Sequence, residues 1–95
     1  MKNSDKIIKR SSDLAWRVID NEAVILPLDK QVEDSEKINF LNPTGTRIWA
    51  LIDGKNTVGD IIKKICDEYE IEYKEAEKEV VSFMRKLKDK KLIQA

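Results

Sequence analysis

The chain has 95 residues, with 18 basic and 18 acidic side chains and no histidine, so its formal net charge is zero. That length fits one domain; the charge balance lacks the positive bias that phosphate backbones select, and the missing histidine removes the commonest metal ligand and acid–base side chain. The lone Cys66 excludes an intramolecular disulfide, and no apolar run approaches the about 20 residues of a membrane span, so the chain reads as cytosolic.

Residues 1–10 carry lysines without a continuous apolar stretch and are expected to be a flexible N-terminus, leaving 11–95 as the domain. Leu14–Ile19 and Ala23–Leu28 are rich in β-branched, aromatic and aliphatic residues. Asp20-Asn21-Glu22 between them suits a tight reversal, which predicts a hairpin. Pro27 cannot donate to a ladder and marks the fading end of the second strand. The polar stretch 29–36 reads as a loop leading to a third strand at Lys37–Leu41.

After Asn42 the hydrophobic period becomes helical. Asn42 is a good N-cap, and Pro43 suits the first helical position, where its missing N–H costs nothing. A strand therefore ends where a helix begins. Thr44, Ile48, Leu51 and Ile52 recur at helical spacing, and Gly54 is placed to end the helix. Thr57 opens a second helix with Asp60 three residues on, a capping-box spacing; Val58, Ile61, Ile62, Ile65 and Tyr69 form its core face, with Cys66 packing on the same side. A third helix is predicted over Tyr73–Asp89.

At 100° per residue, Ala76, Val80, Phe83 and Leu87 of the third helix fall in one narrow stripe, which predicts the core face. Val81 and Met84 widen the apolar arc to one side, bordered by Glu77 and Lys88. The plain reading is that they cover the edge of the core. The sharper one is that they line one wall of a groove whose other wall is the third strand. The acids of E-A-E-K-E, interleaved with a lysine, read as a solvated helix face, and Trp16 as a packing residue.

The order W-R-V-I, a second short strand, F-L-N-P-T-G-T-R-I-W-A-L-I-D-G, T-V-G-D-I-I-K-K-I and E-A-E-K-E-V-V-S-F-M-R-K-L closely resembles the PqqD-like proteins. These are peptide-recognition elements of pathways that make ribosomally synthesised, modified peptides. The resemblance runs over about residues 8–94. It is most specific at Leu41, Asn42, Thr44, Ile48 and Trp49, followed by Asp53-Gly54 and Thr57. The chain departs from the pattern in the acidic loop from Gln31 to Glu36, and in Lys90-Lys91, where a helix-ending glycine is frequent.

The resemblance implies an α+β, winged helix-turn-helix-like fold with a three-stranded antiparallel sheet followed by three helices. It implies a non-catalytic chaperone in which the leader of a precursor peptide adds as a strand to the edge of the third strand and lies against the third helix, which is then presented to a modifying enzyme such as a radical SAM enzyme or a lasso protease or cyclase. The implied contacts are Lys37, Ile38, Asn39, Phe40 and Leu41 on the strand, and Lys74, Glu77, Val81, Met84, Arg85 and Lys88 on the helix. Among these, Lys74, Arg85 and Lys88 would face acidic leader positions. No cofactor, metal, nucleic acid or membrane is expected. The alternatives are a winged-helix DNA-binding domain, disfavoured by acids on the exposed helix faces, and a small enzyme, disfavoured by the missing histidine and the absence of a glycine-rich phosphate loop.

Overall fold

A computed structural model describes residues 6–12, 14–28 and 39–94. The hairpin forms as expected: β2 (Leu14–Ile19) and β3 (Glu22–Pro27) pair antiparallel from Leu14↔Pro27 to Ile19↔Glu22. At its reversal Asp20 and Asn21 have φ of 53° and 67°, the two positive angles of a type I′ turn, whose twist matches the strands it joins. β4 (Asn39–Phe40) adds to the other edge of β3 through Val24↔Phe40 and Ile25↔Asn39. It is the described part of the expected third strand. Lys37, Ile38 and the loop from Gln31 to Glu36 lie outside the described residues.

Three helices complete the α+β fold, and each is set by its ends: α1 (Pro43–Leu51), α2 (Val58–Tyr69) and α3 (Tyr73–Asp89). Asn42 Oδ1 accepts the Gly45 N–H at 2.7 Å. The Asp60 N–H donates to Thr57 Oγ1, and the Thr57 N–H to Asp60 Oδ2, both at 3.0 Å, which closes the capping box. At the end of α3 the Leu92 N–H reaches the Leu87 carbonyl and the Lys91 N–H that of Lys88, both at 2.9 Å. Lys91, at φ 62°, takes the left-handed position that glycine usually fills in this type of helix ending.

The N-terminal expectation is corrected. Ile7–Arg10 is a strand, β1, at the centre of a second antiparallel sheet ordered β5-β1-β6, with β5 spanning Asp53–Thr57 and β6 Ile93–Gln94. Ile8 is only 4% exposed, so one well-buried side chain between two short partners suffices to seat a strand. Gly54, with φ of 82°, accordingly lies in β5, and α1 ends at the cap residue Ile52. Tyr69 is also corrected: it is exposed at the end of α2. Cys66 packs against the core, its thiol donating to the Ile71 carbonyl at 2.9 Å.

The core gathers Ile25 from β3, Ile48, Trp49 and Ile52 from α1 and its cap, Ile61, Ile62 and Ile65 from α2, and Val80 and Leu87 from α3. β1 also ties the hairpin to α1. Arg10 Nη1 donates to the Trp49 carbonyl at 2.9 Å, and its guanidinium lies 4.8 Å from the centre of the Trp16 ring. Trp16 in turn meets Trp49 edge-on, with centroids 5.8 Å apart. Burial lowers the Arg10 pKa, and Asp53 partly offsets this. Among the described residues no helix is long and apolar enough to cross a membrane.

Candidate functional site

β4 is the edge of its sheet among the described residues, and local hydrogen bonding decides which of its backbone groups face outward. The Leu41 N–H donates to the Ala23 carbonyl at 2.9 Å. Antiparallel ladders alternate, so Leu41 turns inward and the N–H and C=O of Phe40 point to the open edge. The reciprocal bond of the Ala23–Leu41 pair is replaced by the hydroxyl of Thr46. Its Oγ1 accepts the Ala23 N–H at 2.7 Å and donates to the Leu41 carbonyl at 3.3 Å. Thr46 is buried. One side chain of α1 thus fixes where β4 ends and how its edge is presented.

Between this edge and α3 runs a groove of about 290 Å³. Its floor is apolar: Ile48 and Leu87 are buried, Phe83 is half-buried, and Gly45 lies under the Phe83 ring. A β-carbon at Gly45 would stand 2.9 Å from Phe83 Cε1, so the absent side chain is what lets the ring approach α1 this closely. The α3 rim carries Glu79, Ser82, Lys86 and Lys90. Lys90 Nζ donates to Asn39 Oδ1 at 3.0 Å and ties the end of α3 to β4. The Phe40 side chain shares the outer sheet face with Val24 and is 70% exposed.

Of the expected site residues, Asn39, Phe40 and Leu41 line this groove, and Lys37 and Ile38 lie outside the described residues. The helix residues are not brought to it. Val81, Met84, Arg85 and Lys88 line a different concavity on the opposite flank of α3, together with Lys6, Ile8, Val58 and Ile93. Lys74 lies beside Glu75, Lys78 and Glu79 near the start of the helix, and Glu77 is exposed. Phe83 and Met84 exchange the environments expected of them: Met84 is 8% exposed and in the core, whereas Phe83 borders the groove.

The reason is the second sheet. With Ala76 at 0°, the residues buried on α3 (Ala76, Val80, Met84 and Leu87) centre at about 35°, whereas the stripe through Phe83 centres at about 10°. β1 and β6 supply Ile8 and Ile93 as an extra wall on the Met84 side, which turns the core axis toward Met84 and leaves Phe83 at the rim. Thr46, which bonds both Ala23 and Leu41, is a residue that sequence patterning alone does not single out. Its signal was its position, a hydroxyl four residues after the N-cap, facing the preceding strand. No group of three or more histidine, cysteine or acidic side chains is placed to hold a metal among the described residues.

A family model described as coenzyme PQQ synthesis protein D (PqqD) matches residues 22–93, from β3 to the start of β6. The solved structure of TbiB1 in complex with the TbiA(beta) leader peptide is similar at 29% sequence identity and a TM-score of 0.79, covering 92% of this chain and 95% of that one. No curated protein matches the chain.

Proposed function

This chain belongs to the PqqD family, and on that premise we propose that it binds the leader segment of a ribosomally made precursor peptide in the groove between β4 and α3 and presents it to a modifying enzyme. The observation that carries this is the pairing of an open strand edge with an apolar floor. A peptide laid beside β4 gains main-chain hydrogen bonds from Phe40 while alternate side chains reach Phe83, Gly45 and Ile48. Backbone pairing gives affinity with little sequence demand, and the floor supplies selectivity. The similarity to TbiB1, solved with a leader peptide bound, supports a peptide as the ligand.

Lys86 and Lys90 stand at one part of the rim and Glu79 at another, which gives the bound strand a preferred direction. As exposed charges each contributes about 0–1 kcal/mol, so they orient more than they hold. Presentation works through effective concentration: a module that grips the leader and docks on an enzyme makes the meeting of core peptide and active site intramolecular. The protein then carries no reaction of its own.

The test is turnover by a candidate modifying enzyme acting on the precursor whose leader the protein binds. Adding the protein should speed modification of full-length precursor and leave leaderless core peptide unchanged, and free leader should compete. Equal stimulation of leaderless peptide would show that the protein activates the enzyme directly.

A further inference from the structure

We propose that the concavity on the opposite flank of α3 docks an acidic, apolar segment of the modifying enzyme, which rests on the presentation reading above. This concavity measures about 230 Å³. Ile8 and Met84 form a buried floor, Val81 is half-buried beside them, and Lys6, Arg85 and Lys88 stand around it. Among the described residues no carboxylate lines it, and the one ion pair is Arg47–Glu68, elsewhere on the surface. Three cations thus share a small apolar site whose described lining holds no carboxylate, with Glu77 one turn before Val81 the nearest acid along α3, in a chain whose net charge is zero.

Lys88 near the end of α3 suits the helix dipole, but Lys6 enters from the start of β1, so the dipole does not account for the cluster. Size and composition select the occupant. The volume lies below the roughly 300 Å³ at which small-molecule pockets begin, and suits one large side chain. Three cations are fewer than the about 4–8 that mark anionic-lipid binding, and an apolar floor offers nothing to a phosphate backbone. What fits is a large apolar side chain flanked by carboxylates, with the floor supplying affinity and the cations steering and register.

The position leaves both sites free to be filled together. Val81 and Arg85 lie at about 140° and 180° around α3 from Ala76, whereas Ser82 and Glu79 on the groove rim lie at about 240° and 300°. A leader on β4 and an enzyme segment on this flank would grip α3 from its two sides. That is the geometry an adaptor between peptide and enzyme requires.

The probe is an acetylated heptapeptide with a central phenylalanine flanked by glutamates, titrated into the isotope-labelled full chain and followed by amide shifts. Shifts at Ile8, Val81, Met84 and Arg85 are expected, persisting when leader saturates the groove, and absent with a lysine-flanked peptide. The double variant Arg85→Glu, Lys88→Glu should weaken the probe at least tenfold and lower stimulation of the enzyme to a similar degree, with leader affinity and melting temperature unchanged. Val81→Lys, a second variant on the same flank, should do the same. Shifts confined to Phe40 and Phe83, no response to the probe, or a response of this flank to anionic vesicles or duplex DNA in its place would overturn the assignment. Leader failing to move Phe40 and Phe83 while the probe still moves Val81 and Arg85 would remove the leader reading and leave this site standing.

Discussion

Gly45→Ala adds one methyl group directly under the groove floor, and the structure sets the size of its effect. The new β-carbon would meet Phe83 Cε1 at 2.9 Å and Cζ at 3.2 Å, and Asn42 Oδ1 at 3.2 Å. Carbon pairs rest at about 3.5–4.0 Å, so the ring must retreat by roughly 0.6–1.1 Å. Overpacking of this kind costs about 1–3 kcal/mol, while alanine in place of glycine in a helix returns about 0.5–1 kcal/mol. The net loss is therefore about 0–2.5 kcal/mol, within the about 5–15 kcal/mol that a domain holds, and the protein stays folded. The displaced ring moves into the groove that it lines, so leader affinity should fall about tenfold, equivalent to about 1.4 kcal/mol. Urea unfolding gives the first quantity and fluorescence anisotropy of labelled leader the second. Leader affinity within twofold of the parent in a folded variant would refute the assignment of Phe83 and Gly45 to the binding floor.

Thr46→Val keeps the side chain's shape and leaves the buried Ala23 N–H and the Leu41 carbonyl without the bonds that the hydroxyl makes. It should cost about 1–3 kcal/mol by chemical denaturation, with Thr46→Ser recovering most of the loss. Met84→Asp should unfold the domain or nearly so, because it buries an unpaired carboxylate in the core, whereas Phe83→Asp should cost less stability and abolish measurable leader binding. Circular dichroism melts of the two variants side by side check the order, and an inverted order would place Phe83 in the core after all.

Most of the fold was legible in the sequence because its signals are local. Asp20-Asn21 marks a turn through its tolerance of positive φ, Asn42-Pro43 and Thr57 with Asp60 mark helix starts, and α3 runs over the residues that periodicity assigns to it. The second sheet was not legible, since β1, β5 and β6 hold four, five and two residues, and pairing between chain ends leaves no periodic trace. That omission propagated into the site. Phe83 and Met84 are adjacent and 100° apart on the helix, so which of them is core depends on what packs alongside. The wall of Ile8 and Ile93 decides it for Met84. On the strand side, Asn39, Phe40 and Leu41 line the groove because the N-cap that follows them fixes where the strand gives way to α1.

The central claim is that a peptide adds as a strand to β4, and amide hydrogen exchange at Phe40 tests it most directly. The Leu41 N–H is already bonded to the Ala23 carbonyl, while the Phe40 N–H faces the open edge and Phe40 is the most exposed large apolar residue described. Saturating leader should slow exchange at Phe40 by at least tenfold and change Leu41 far less. Exchange at Phe40 that stays as fast in the leader-saturated protein as in the free one would contradict strand addition at this edge.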